Sequence, residues 1–374
     1  MTTLTESIQD LHPEWVVDRD SQEKGASPEI LLVEEADGPV LVPIEGGFVP
    51  KSLRGSLALR GEELARFEAF VLATRGGSLG LRRVHTPSAL LSGGEEAAEA
   101  PGGARSLLLI HGIFSHTSAT FRGLAEAEFY GRLRGSGRYG DRIYGFNHVT
   151  ASESIVASAR RLLAALPAEE TTYDVVAHSR GGLVARTIVE RGEELFGALH
   201  RRFRLGRLVL AGVPNHGSEL ASSEGLAALL RLLQSGVVFG QEALYAYLLR
   251  LLSKVRGRLP GLLDMTPDGP FLVALNGAKR PIDLYGAIAA DFEPGGVLGP
   301  ADDEVDAVLG DHNDIAVPTV DACRCGHEWV PRGRVFATAA LVPPPIDLEV
   351  ARDVHHLSLF EQAATRSSIL EQLL

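Results

Sequence analysis

The sequence predicts an α/β protein built on a doubly wound, mostly parallel sheet, and three observations carry that expectation. Short apolar runs recur at 106–110, 142–146, 175–177, 208–211 and 282–288, as strands buried on both faces do. Stretches of helical spacing lie between them, such as Ile155, Leu162 and Leu166, the last followed by Pro167 as a stop. The composition permits the large core such a fold needs, because 45% of the 374 residues are hydrophobic and 22% are charged, as in ordinary globular domains. Alternating strand and helix then implies parallel strands joined by crossover helices.

Taken in order, residues 1–91 read as a small accessory unit. Within it, 30–33 and 40–44 flank an Asp37-Gly38-Pro39 turn signal and predict a hairpin, and 62–72 suits a short helix. The unit carries no chemical motif, so packing on the rest is its expected role and partner docking the sharper alternative. Residues 92–105, SGGEEAAEAPGGAR, have no large apolar side chain and are expected to form a linker before the main domain at 106–374. No internal repeat interrupts this order.

Charge and cysteine content exclude several classes of function. With 36 Lys+Arg against 48 Asp+Glu the net charge is -12, which repels phosphate backbones and argues against nucleic acid as a partner. Only Cys323 and Cys325 occur, one residue apart and badly placed for an unstrained disulfide, so a disulfide-stapled scaffold is not expected. The first residues carry Glu6, Asp10 and Glu14 and no apolar h-region, unlike a signal peptide. No apolar run approaches the ~18 residues of a membrane span. A cytoplasmic location is the resulting expectation.

The chemistry concentrates at 173–186, YDVVAHSRGGLVAR. A buried strand runs into Ala177-His178-Ser179-Arg180-Gly181 and then into a helix, the arrangement of a nucleophile elbow. The positions two before and two after the serine must be small, since larger side chains would collide across the tight turn. Ala177 and Gly181 meet this, with Ala177 replacing the usual glycine by one methyl group. The bland alternative is a Ser/Gly helix cap.

AHSRGGLVAR resembles the elbow of bacterial lipases and of the lipase-like GPI-inositol-deacylase relatives in the α/β-hydrolase superfamily. Three further segments agree: LLIHGIFS at 108–115, VPNHGS at 213–218 and MTPDGPFLVALN at 265–276. The resemblance covers about 105–374 and implies an α/β-hydrolase fold with a Ser-Asp-His triad and an acyl-enzyme. By position, the backbone N–H groups of Ile113 and Arg180 would form the oxyanion hole, and the ring of His111 would brace that loop. The superfamily order of serine, acid, histidine places the base late, and the spacing His356-x-x-Leu359-Phe360 favours His356, with the adjacent His355 as the alternative. The Asn313-Asp314-x-x-Val317-Pro318 signature favours Asp314 as the acid, and Asp291, directly after the 282–288 run, competes.

Other clusters are given plainer readings. Asp302, Asp303, Glu304 and Asp306 have the oxygen donors calcium wants, but a solvated loop is expected. Cys323, Cys325 and His327 lack the usual zinc spacing and are expected to be inert. His178 and His216 are expected to pack, and Arg201, Arg202, Arg204 and Arg207 to be solvated. No metal and no cofactor is expected.

Between residues 218 and 265 the strand alternation stops. Leu226, Leu229, Leu230 and Leu233, then Leu244, Leu248, Leu252 and Val255, form apolar stripes, which predict a helical cap over the carboxyl ends of the strands. Such a cap would line an acyl pocket or make peripheral contact with a membrane. The leading expectation is therefore a serine hydrolase of carboxylic esters with a hydrophobic acyl group. The alternatives are a phospholipase or deacylase effector acting on membrane lipid or acylated protein, and a catalytically inactive hydrolase-fold binding module.

Overall fold

The computed structural model describes residues 29–35, 38–44, 78–96, 102–219, 259–293 and 306–374. Strands β1 (Glu29–Glu35) and β2 (Gly38–Ile44) pair antiparallel, Val33 opposite Val40, where the hairpin was predicted. The helix expected at 62–72, the stripes of the cap and the acidic residues 302–304 lie outside the described residues.

A nine-stranded sheet organises the main domain. Its strands are β3 (Gly80–Arg83), β4 (Glu95–Glu96), β5 (Ser106–Ile110), β6 (Ile143–Asn147), β7 (Thr171–His178), β8 (Phe203–Ala211), β9 (Tyr285–Ala290), β12 (Gly333–Ala337) and β13 (Ile346–Val350). A separate short ribbon pairs β10 (Arg324–Cys325) with β11 (Glu328–Trp329). The sheet order is β13-β12-β9-β8-β7-β5-β6-β3-β4. Every pairing from β13 to β6 is parallel, and β3 runs antiparallel to β6 and β4.

The sheet takes in residues on both sides of the boundary expected at residue 92, and β4 falls inside the expected linker. Pattern reading missed β3 because its sequence, GLRR, is half-buried and carries no apolar run. The 282–288 run is displaced as well: a 3-10 turn occupies Ile282–Leu284 and the strand begins at Tyr285.

Both faces of the sheet are covered, which is why the central strands read as continuous apolar runs. Successive residues of a strand point to opposite faces. Leu108, Ile110, Val175, Ala177, Leu208 and Leu210 therefore join one core, and Leu107, Leu109, Val176, Val209, Ala211 and Ile288 the other. The first is closed by helices α1 (Ile155–Ala165) and α2 (Arg180–Phe196), the second by α3 (Ala363–Leu373). Ser154 caps α1 by accepting from the Ala157 N–H, satisfying one of the donors a helix start leaves open. Among the described residues, no helix is long and apolar enough to cross a membrane.

A buried ionic cluster ties α2 to its surroundings. Glu190, whose side chain is wholly buried, accepts from Arg186 at 2.7 and 3.1 Å, from Arg280 at 3.2 Å and from the Tyr285 hydroxyl at 3.1 Å. Replacing this carboxylate removes the counter-charge of buried Arg186 and leaves Arg280 with Glu328 alone, 3.2 Å away, a loss of about 3–5 kcal/mol where such buried pairs are broken. Glu190→Gln is therefore expected to lower the urea midpoint markedly at unchanged m-value, and an unaltered midpoint would contradict this account of the cluster.

Candidate active site

Strand β5 has β6 on one side and β7 on the other, so the chain reverses its direction of progress across the sheet there. Ligand crevices form beyond the carboxyl ends of the strands at such a reversal. Two loops meet at this place, the one after β5 and the one after β7.

Ser179 stands between β7 and α2 with φ 52 and ψ -132, a left-handed backbone that costs a residue with a Cβ about 1–3 kcal/mol. Its backbone N–H donates to the Ala211 carbonyl at 2.9 Å, and its carbonyl accepts from Gly182 at 2.9 Å. The glycines around it permit the approach of neighbouring chain. A Cβ on Gly181 would collide with the carbonyl oxygens of Ile110 and His111, and one on Gly182 with the Val213 side chain. A Cβ on Gly112 would lie 2.7 Å from the Ser179 Cβ and 3.2 Å from its Oγ, so the loop after β5 runs directly against the serine.

Arg180 opens α2, and a helix start has no intrahelical acceptor for its first N–H groups. Its side chain is buried and turned to other work, with Nη1 on His148 Nε2 at 3.1 Å and Nη2 donating to the Glu153 carbonyl at 2.6 Å and Ser158 Oγ at 3.2 Å. Ile113 precedes Phe114, which has φ 52 and donates its N–H to Thr150 Oγ1 at 3.0 Å.

Of the late candidates, His356 and Asp314 are brought together. His356 Nδ1 lies 2.8 Å from Asp314 Oδ2, and the His356 N–H donates to the Asp314 carbonyl at 2.9 Å. The other carboxylate oxygen of Asp314 accepts from the N–H groups of Ala316 at 3.1 Å and Val317 at 2.8 Å. Asn313 holds this turn by accepting from the Ile315 N–H at 2.7 Å, with Ile315 at φ 75. Ser179, Asp314 and His356 are 6%, 1% and 7% exposed. An acceptor-only carboxylate facing Nδ1 puts the ring proton there and leaves Nε2 as the free base.

The alternatives are placed elsewhere. His355 packs edge-on against Phe292, and burial lowers its pKa to about 4. Asp291 faces His312, 3.2 Å from its Nδ1.

Sequence reasoning missed two contributors. Gly212, after β8, has φ 54, and a Cβ there would lie 2.9 Å from His356 Nδ1 and 3.0 Å from Asp314 Oδ2. A glycine right after a buried strand run was the available signal. His178 is the other: its Nε2–H donates to the His356 carbonyl at 2.9 Å and the two rings lie 4.6 Å apart, so the residue before Ser179 fixes the main chain of His356.

Three histidines beside the elbow are held neutral. His111 donates from Nδ1 to the Gly112 carbonyl at 2.8 Å and accepts at Nε2 from the His148 N–H at 3.2 Å. Its ring stacks on that of His148, with centroids 4.4 Å apart. Burial first, then neighbouring histidines and Arg180, lowers His111 to about 3 and His148 well below its usual value. Burial and the nearby His356 do the same to His178. The two cysteines are free and buried, and burial raises both thiols, Cys325 to about 11.

The topology, with a serine held in a left-handed turn at the point of reversal and a His-carboxylate pair beyond the neighbouring strand, defines a protein of the α/β-hydrolase fold. A family model described as a domain of unknown function, DUF7379, matches residues 82–374, and the chain belongs to that family. No curated protein matches the sequence. Among solved structures, the chain is similar to the Bacillus licheniformis lipase BlEst2 in mature form, with 16% identity, 71% of this chain and 89% of that one covered, and a TM-score of 0.40. It is also similar to EstA from Clostridium botulinum, with 10% identity, 74% and 90% covered, and a TM-score of 0.44. For phospholipase PlaB from Legionella pneumophila the figures are 13%, 72% and 60%, and 0.44, so the chain spans less than two thirds of that one.

The buried histidines predict a pH dependence with a definite sign. Because their folded pKa values are depressed, their contribution is complete above the ordinary value near 6.5. It is lost as pH falls from there toward about 3, the unfolded chain binding protons the folded one refuses. Each such histidine contributes a slope of up to about 1.4 kcal/mol per pH unit in that window. Urea unfolding at pH 7, 6 and 5 is expected to show stability falling with pH, and more shallowly in His111→Asn.

Proposed function

We propose that the protein is a serine hydrolase of carboxylic esters with a hydrophobic acyl group. The observation that carries the reading is the strained Ser179 turn pressed against Gly112, with the His356 main chain held by His178 next door and its ring paired with Asp314.

In this reading Ser179 Oγ attacks the ester carbonyl while His356 Nε2 takes its proton. Asp314 keeps the ring in the reactive tautomer and stabilises the imidazolium that forms. The tetrahedral oxyanion accepts hydrogen bonds from the backbone N–H groups of Ile113 and Arg180, each contributing about 3 kcal/mol where such donors have been removed. His356 returns the proton to the leaving alcohol, and water then releases the acyl group by the same steps in reverse. Because the oxyanion donors are backbone groups, the side chains of Ile113 and Arg180 are free to serve other ends, as the buried contacts of Arg180 do. The apolar stripes from Leu226 to Val255 support a hydrophobic acyl group, since an insertion at this point of the chain follows the carboxyl end of β8.

Ser179→Ala is expected to abolish turnover of p-nitrophenyl esters and labelling by a fluorophosphonate probe, with its urea midpoint unchanged; persistent labelling of that variant refutes the nucleophile. Asp314→Asn is expected to lower kcat by about 10^4, the scale on which a triad acid acts through the tautomer, and a loss below tenfold would return the acid role to another group. Across esters of increasing acyl length, kcat/KM is expected to rise from acetate to medium chains; a preference for acetate sinks the assignment of an apolar acyl group.

A further inference from the structure

The carboxylate that lost the contest for His356 has a neighbourhood of its own. Asp291 directly follows β9, Glu293 lies two residues on, and His312 stands two residues before Asp314. One ligand atom from each of the three lies within 4.8 Å of the other two. Asp291 is 1% exposed, and only one of its oxygens is satisfied: Oδ2 faces His312 Nδ1 at 3.2 Å, and buried Oδ1 has no hydrogen-bond partner. The two oxygens share one carbon, so the orphan acceptor lies at the cluster. A buried acceptor without a donor costs about 1–3 kcal/mol, and two carboxylates brought together repel.

The backbone under these side chains is fixed. The Asp291 N–H donates to the Phe336 carbonyl at 2.7 Å, that of Phe292 to Asn313 at 2.7 Å, and that of Glu293 to Arg352 at 2.9 Å. Glu293 also accepts at Oε2 from Thr338 Oγ1 at 3.3 Å, with the mostly exposed Arg352 guanidinium 3.8 Å away.

We propose that Asp291, Glu293 and His312 bind a divalent transition cation of the zinc type, clipping the loop that carries Asp314 to the end of β9. The imidazole, a borderline donor beside two carboxylates, favours such an ion over calcium, which takes oxygens only. Bond lengths near 2.1 Å require donors roughly 3.4 Å apart in a tetrahedral site. Glu293 and His312 are the two more exposed side chains, and closing that difference would fall to them while Asp291 stays in place. The ion would supply the missing partner of Oδ1, and water would complete its shell.

The test is binding, independent of any hydrolytic activity, and it is run on the full chain and again on Ser179→Ala. After stripping with a chelator, calorimetric titration with zinc chloride is expected to show one saturable site per chain. Zinc is also expected to raise Tm, and cobalt to give a d–d absorption band. His312→Ala, at a half-exposed position, is expected to weaken zinc at least tenfold and abolish the cobalt band, and Glu293→Gln to weaken zinc similarly, with circular dichroism unchanged in both. Absence of saturable zinc binding overturns the proposal, as does zinc affinity unchanged in both variants. Calcium binding as tight as zinc and indifferent to His312→Ala overturns it too.

Discussion

The site depends on one strained residue. Ser179 occupies a left-handed conformation that no local preference supports, and it is held there by what surrounds it. Its N–H is claimed by Ala211 on β8, its carbonyl by Gly182, and α2 follows at once, with Gly181 and Gly182 packed too closely on Ile110, His111 and Val213 to carry a side chain. The cost of the turn is about 1–3 kcal/mol, small beside the burial of β7 and α2 around it. The strain fixes where the residue stands, directly beyond the carboxyl end of β7, the middle strand of the sheet.

Close approach by glycine is the second recurring device, and it acts at two distances from the serine. Gly112 lets the loop after β5 lie against Ser179, and Gly212 lets the loop after β8 lie against the His356–Asp314 pair. Both bring backbone, which carries hydrogen-bonding groups at fixed positions, to places where a side chain would take up the space. Around them stand three buried histidines, one of which meets the Arg180 guanidinium. His111, His148 and His178 have their tautomers dictated by partners that only donate or only accept, and burial keeps them neutral.

Some of this was legible in the residues alone. The central strands, buried on both faces, announce themselves as apolar runs, and the elbow needs small residues at fixed offsets from its serine, a local constraint that leaves a local trace. The short edge strand β3 left none: its GLRR sequence is half-buried, and its pairing with β6 is made across a sequence gap of some sixty residues. Gly212 left only its place after an apolar run, because the groups it must avoid, His356 and Asp314, come from more than a hundred residues further on.

The choice between candidates shows the division most clearly. From the sequence came the nucleophile motif, the order of the late acid and histidine, and a pair of contenders for each role. Which contender faces which could come only from the folded chain. Asp314 and Asp291 are both carboxylates on loops after late strands, and His355 and His356 are adjacent in sequence. The hydrogen bonds of Asn313, Ala316 and Val317 turn the Asp314 carboxylate toward His356, and the pairings of Asp291, Phe292 and Glu293 hold Asp291 beside His312. Residue type sets what a side chain can do chemically, but its direction follows from backbone hydrogen bonds between segments far apart in the chain, and those exist only once the sheet has brought the segments together.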